Sequence, residues 1–362
     1  MAAVLAKKER PEEALLSYPF PDFVPPLGTT LKVAEGVFWA RMPLPFALDH
    51  INLWLIADEI DGTPCWTVVD SGVGLEQTRN AWETIFAQHL NDLPIKRVII
   101  THAHPDHVGN AAWICERYAA AGCRLTATVG EYFWAHIMSN GKVAGFDNEA
   151  QIEHFRRHGL DGALLEAIAK NRKSYYASLV PAVPPSFVRM AAGDTLSIGG
   201  RDWQVFVGYG HSNEHASLYC PTLNLVISGD MLLPRISTNI AVWPTEPESS
   251  PVRQYLDALK AYVALPEDVL VCPSHGRLFR GARERARQLT AHHLERLAET
   301  LEACATPQSA ADIIPVMFKR ELDAHQTVFA VGETLAHLHY LRDEGKVAAK
   351  VDADGVVRFT RV

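Results

Sequence analysis

Three histidines and an aspartate crowd into the seven residues Thr101 to His107, THAHPDH. Imidazole and carboxylate donors at that spacing suit a divalent cation of borderline softness. So many polar groups at one strand end would be costly without such a use. The apolar run RVII, residues 97–100, reads as the strand that delivers them into a loop, with Pro105 stiffening the turn. His102 and His104 can converge on one ion while Asp106 and His107 face a second. The remaining vertices must come from distant segments: His211 in GYGHSNEH for the first ion, His275 in PSHG for the second, and Asp230 in ISGD between them. Two close cations lower the pKa of a shared water and polarise the substrate oxygen it attacks. The expected chemistry is hydrolysis by a metal-bridged hydroxide with no protein nucleophile, Asp106 both binding metal and orienting the water. Zinc is the expected ion, and iron or manganese suit the same donors. His154, His158, His292, His293 and His325 stand outside this pattern and read as ordinary core or surface residues.

The elements that must position these groups read as alternating strands and helices. INLWLIAD, PCWTVVD, KRVII and CRLTATV are short apolar runs suited to buried strands, with helical patterning over Ala111 to Ala121 and Glu131 to Met138. From Asn148 to Ser178 the chain turns polar, basic and helical, an insertion or cap that ends at PAVPPSF. Strands resume in DTLSIGGRDWQVFVGYG, HASLYCPTLNLVISGD and DVLVCPSHG, each ending beside a group of chemical interest. The site is therefore expected at one sheet edge, built by loops.

A chain of 362 residues can close a full core and carry a smaller second domain. A net charge of -8 argues against a mainly electrostatic grip on nucleic acid. No stretch reads as a signal peptide or a membrane span, and the six scattered cysteines lack any CxxC spacing, so they read as isolated apolar fillers. A cytoplasmic address without disulfides is expected.

The motif HxHxDH, met by His102, His104, Asp106 and His107, resembles that of the metallo-β-lactamase superfamily. The resemblance implies an αββα sandwich with a metal groove at one edge, and the later family ligands fall on His211, Asp230 and His275. Asp70 in TVVDSG matches the family aspartate that supports the metal-binding loop. Aspartate at 230, where many zinc β-lactamases place cysteine, looks more like the glyoxalase II, lactonase and nuclease branches. PLPFALDHINLWLI, GHSNEHASLY, SGDMLLPRISTNI and the terminal region resemble bacterial relatives of the β-lactamase-like ribonucleases, which carry a small winged-helix domain. The implied division is a catalytic domain over residues 1–305, including the helical insertion near 148–178, and a winged-helix-like domain over 306–362. In the latter SAADIIPVMF and ETLAHLHYLRDEG are candidate helices and KVAAKVDADGVVRF two strands around an Asp-Gly turn. Before it, a helix from about Arg283 to Cys304 carries Leu289, His293, Leu297 and Leu301 on one face, suited to packing the tail and leaving a homodimer open.

Further candidates flank the ligands. His215, four residues after His211, is an outer support, a substrate contact or a strand-start residue. His50 and Asn52 support the groove or make local hydrogen bonds. Arg235 and Asn239 meet a negatively charged substrate or serve an ion pair and a loop. The expected substrate is a small acyl compound, a thioester, ester or lactone, which the insertion could cover. A phosphodiesterase or endoribonuclease acting on RNA is the alternative, with FRRH and NRKS as local phosphate contacts. A non-hydrolytic di-iron redox or binding protein is the third reading.

Overall fold

The computed structural model describes residues 15–46, 48–141, 148–171 and 175–362. Arg172, Lys173 and Ser174 of NRKS and the leading segment 1–14 lie outside the described residues. One sheet has seven strands in chain order: β1 (Thr30–Ala34), β2 (Val37–Pro43), β3 (His50–Ile60), β4 (Thr63–Val69), β5 (Ile95–Ile99), β6 (Arg124–Ala127) and β7 (Phe187–Arg189). Pairing is antiparallel from β1 to β4 and parallel from β4 to β7. The second sheet contains β8 (Thr195–Ile198), β9 (Arg201–Gly208), β10 (His215–Cys220), β11 (Leu225–Gly229) and β12 (Leu270–Pro273), antiparallel except for β11 against β12.

Alternation along β3 shows why the sheets stack. Trp54 and Ile56 face inward onto Trp203, Val205, Leu218 and Ile227 of the second sheet. Leu53 and Leu55 face outward onto Trp82, Ile85 and Ile114. Those outer residues belong to α1 (Glu76–Gln88) and to α3 (Ala111–Arg117), which follows the single-turn α2 (Pro105–Val108). A strand buried on both faces reads as a continuous apolar run, as β3 does. On the far side, Tyr219, Val226 and Val271 pack against Tyr255, Leu259 and Tyr262. Three apolar layers between four structural layers make the αββα sandwich expected from the sequence.

α4 (Val129–Asn140) precedes the polar segment, which forms α5 (Asn148–Arg157), α6 (Gly162–Asn171) and α7 (Tyr175–Leu179). Phe155 and Leu160 from this segment join the far apolar layer, and Ala311 N–H donates to the His158 carbonyl at 3.1 Å. The segment is thus stitched to the C-terminal elements as well as lying near the groove. That layer also holds α8 (Pro251–Val263), α9 (Ala282–Ala303), α10 (Ala310–Met317), α11 (Ala324–Asp343) and the hairpin β13 (Val347–Val351) with β14 (Val357–Arg361). Leu289, His293 and Leu297 of α9 are buried. A capping box at Ser309 and Asp312 starts α10. No helix among the described residues is long and apolar enough to cross a membrane.

The cysteines are all free thiols, but two of them are not isolated: the Cys115 and Cys123 sulfurs lie 3.9 Å apart. His154 and His158 are buried with ring centroids 4.8 Å apart, and His293 stacks on His337 at 5.3 Å. They are core histidines at the junction of the far helices.

Candidate metal centre

The ligand-bearing loops leave the ends of β5, β9, β11 and β12 on one side of the sandwich. There His102, His104, His211 and Asp230 form one group and Asp106, His107 and His275 another, the donor atoms within each group all within 4.8 Å of one another. All seven of the expected ligands are brought together. His102 Nε2 stands 2.8 Å from His104 Nδ1 and 3.2 Å from His211 Nε2. Asp230 lies between the groups: its Oδ2 is 3.4 Å from His211 Nε2, while its Oδ1 is 3.6 Å from His107 Nε2 and 3.4 Å from His275 Nε2. Asp106 Oδ2 is 3.4 Å from His275 Nε2 and 3.7 Å from His107 Nε2.

These separations test whether ions fit. Ligands about 2.1 Å from a tetrahedral ion stand about 3.4 Å apart, which most of these edges approach. Two inward atoms, His107 Nε2 and Asp230 Oδ1, are buried without any hydrogen-bond partner. Such orphaned groups are expensive unless something satisfies them. The donor set and its spacing fit a pair of divalent cations.

The outward ring nitrogens explain the inward ones. His107 Nδ1 is 2.8 Å from Asp70 Oδ2, His211 Nδ1 is 2.7 Å from the Asn239 carbonyl, and His275 Nδ1 is 2.7 Å from the His50 carbonyl. A proton donated outward leaves Nε2 as the atom that faces the cluster, free to offer its lone pair to an ion once any second proton has left it, the arrangement of metal-binding histidines. His102 Nδ1 meets the Thr101 hydroxyl at 3.1 Å. Burial and the surrounding imidazoles push His102 well below the usual histidine range and His104 down to about 3, so both are neutral. Burial also opposes charge on His107, yet Asp70, Asp106 and Asp230 hold it up at about 9.

Asp70 is fully buried and accepts the Thr101 N–H at 2.8 Å as well as meeting His107, so it ties the start of the ligand loop to its end. It does so from a left-handed backbone, φ 62°, a conformation costing about 1–2 kcal/mol for a residue with a Cβ. Asn52, also fully buried, accepts from Trp39 Nε1 at 2.9 Å and donates to the Pro273 and Gly276 carbonyls at 2.8 and 3.0 Å, pinning both sides of His275. His50 Nε2 accepts the Gly276 N–H at 2.9 Å. His215 Nε2 accepts the Asp230 N–H at 3.0 Å and sits behind the cluster. Gly229 has to be glycine here: at φ 54° a Cβ would stand 2.3 Å from His215 Cε1. Asn239 serves through its backbone carbonyl, and Arg235 is half-buried on the same loop.

Several supports carry no sequence signature. Thr101 is the hub between Asp70, His102 and His107. Thr238 Oγ1 donates to the Asp230 carbonyl, and Tyr255 Oη to the Met231 carbonyl at 3.0 Å. Arg285 of α9 donates to the Leu233 and Ile236 carbonyls at 2.6 and 3.0 Å, bracing the loop after Asp230. Tyr255 follows an amphipathic pattern that sequence reading could have found; Arg285 meets backbone carbonyls about fifty residues away, and Thr101 and Thr238 are placed by the fold of their own loops.

Comparisons with known proteins agree with this geometry. The sequence signature described as the metallo-beta-lactamase superfamily matches residues 48–275, and that of a metallo-beta-lactamase-like C-terminal domain matches 297–362. A beta-lactamase domain protein from Burkholderia ambifaria is 49% identical, with a TM-score of 0.89 over 97% of this chain and 98% of its own. A metallo-beta-lactamase family protein from Thermus thermophilus is 26% identical, with a TM-score of 0.73 over 91% of this chain and 100% of its own. A curated relative from Bacillus subtilis, named a probable metallo-hydrolase, is 22% identical over 87% of this chain and 95% of its own. The two His/Asp clusters are those of a binuclear metal-dependent hydrolase.

Proposed function

The chain belongs to the metallo-beta-lactamase superfamily, and on that premise we propose that it hydrolyses a small acyl compound, a thioester, ester or lactone, at the paired clusters. The observation that carries the reading is Asp230, one carboxylate oxygen directed at each cluster. We assign the first ion to His102, His104, His211 and Asp230, and the second to Asp106, His107, His275 and Asp230. Zinc is the preferred ion, with iron and manganese compatible with the same donors. A pair of divalent ions, when bound, would lower the pKa of a coordinated water and supply charge that stabilises the developing oxyanion.

The protein's own contribution is orientation. Asp70, the Asn239 carbonyl and the His50 carbonyl fix three imidazoles with their lone pairs inward. Asp106 is the more exposed of the two ligand carboxylates, 16% against 11% for Asp230. With Oδ2 directed at the cluster, its other oxygen would be free to orient a water for attack. His215 and Asn52 hold the loops and do not touch the reacting atoms.

We read the unit over 306–362 as a winged-helix-like domain used for packing. At its hairpin, Arg358 is engaged by Asp352 and Asp354, both at 2.7 Å, which leaves an acidic tip.

Turnover of metal-quantified protein on acyl-CoA thioesters, lactones and single-stranded RNA, with His104→Ala as the contamination control, tests the reading. Acyl cleavage that vanishes on chelation and in His104→Ala is the expected result. RNA cleavage lost in the variant, with no acyl cleavage, would overturn the substrate class.

A further inference from the structure

Glu131 lies in the first turn of α4, is 1% exposed, and belongs to neither cluster. Its Oε2 accepts the Ala103 N–H at 2.8 Å and its Oε1 accepts the Glu214 N–H at 2.7 Å. Ala103 stands between His102 and His104, and Glu214 stands between His211 and His215. One carboxylate therefore spans the two loops that carry all three imidazoles of the first cluster. The hold is reciprocal: Glu214 Oε2 accepts the Gly130 N–H at 2.7 Å, and the Thr128 hydroxyl donates to the Glu214 carbonyl at 2.9 Å. Tyr176 Oη from α7 donates to the Ala103 carbonyl, so both polar groups of that peptide are fixed. The second cluster has other supports: Asp70 on His107 Nδ1, and Ser71, whose N–H and hydroxyl both donate to the His107 carbonyl at 2.8 Å.

We propose that Glu131 is a positioning residue that sets the first cluster selectively, by clamping the backbones of its two ligand loops. A carboxylate is required because both partners are donors; an amide can accept one N–H but turns its own N–H2 toward the other. Charge-assisted bonds to backbone N–H are the stronger kind, and buried donors left unpaired carry the full cost of desolvation. The inference rests on the binuclear assignment above.

The test is stepwise metal binding to the metal-free full chain, by competition with a chromophoric chelator using zinc and by cobalt(II) absorption to identify which cluster fills. Glu131→Gln is expected to weaken the first cluster about 10- to 100-fold, the usual effect of losing such a support, and to leave the second unchanged. Glu214→Ala, which keeps the Glu214 N–H but removes the return bond to Gly130, shifts the same cluster by less and serves if Glu131→Gln does not fold. Equal weakening of both clusters would mean a merely structural role, and unchanged binding in both variants would overturn the proposal outright. If the unaltered protein fails to take up two ions, the binuclear assignment itself fails, independently of Glu131.

Discussion

The two clusters hold different protons before any ion arrives, and this difference is measurable. His102 and His104 are neutral, driven down first by burial and then by neighbouring imidazoles, His107 foremost for His102 and His211 for His104, so an ion need displace no second proton from either ring. His107, held up at about 9 against its burial by three carboxylates, and His275, held up chiefly by Asp230 and Asp106, carry protons at neutral pH. A proton on Nε2 competes with an ion. For a group whose pKa is raised, that competition is full below the pKa and fades as pH rises through it. Binding at the second cluster should therefore strengthen by up to about tenfold per pH unit per released proton as pH rises toward the His107 value of about 9. Isothermal titration in two buffers of different ionisation enthalpy counts the protons released; a count of zero at both steps would sink the idea. The ligands themselves were legible because each stands where an apolar run stops. Glu131 and Thr101 were not, since their partners are backbone groups or side chains whose proximity only the fold creates.

At the scale of elements, the strand ends do the positioning and tolerate little change. Gly229 closes β11 directly before Asp230, in a left-handed conformation with the His215 ring 2.3 Å from where a Cβ would stand. Gly229→Ala must push His215 aside or bend the strand end, which costs roughly 1–3 kcal/mol as overpacking and moves Asp230 with it. The expected outcome is a lower urea midpoint in the metal-free protein and weaker binding of both ions, because Asp230 faces both clusters. A variant that is destabilised yet binds both ions normally would show that the strand end relaxes without moving the carboxylate. β3 to β6 and β8 to β12 were legible as apolar runs. β1 and β2 were not read, β1 being a half-buried edge strand with no strong alternation. α1 and α8 were also passed over, although α8 has Pro251 in its first turn and buried Tyr255, Leu259 and Tyr262 on one face, a pattern that identifies a helix when sought.

Across the whole molecule, the C-terminal elements are continuous with the wall of the metal centre. Val242 N–H donates to the Gly332 carbonyl at 3.0 Å, and a Cβ on Gly332 would stand 2.7 Å from Ala241 Cβ, so α11 lies directly on the chain two residues after Asn239. His339 Nδ1 meets the Ser249 carbonyl at 2.9 Å, and the hairpin is joined back through Arg361 N–H to the Cys304 carbonyl at 2.7 Å. Leu335, Leu338 and Leu341 share one apolar layer with Leu289 and Leu297 of α9 and with Tyr255 of α8. The sequence division at 306 marks a change of pattern, but that shared layer crosses it. Ending the chain at residue 305 would bare the layer and remove the support behind Asn239, whose carbonyl orients His211. Exposed apolar area on this scale drives association, so the shortened protein is expected to aggregate or to unfold at lower temperature, with the first cluster losing affinity before the second. Size-exclusion chromatography with metal analysis distinguishes the cases. A monomeric, fully loaded product with unchanged melting would show that the terminal unit is an independent appendage and leave α11 no part in shaping the groove.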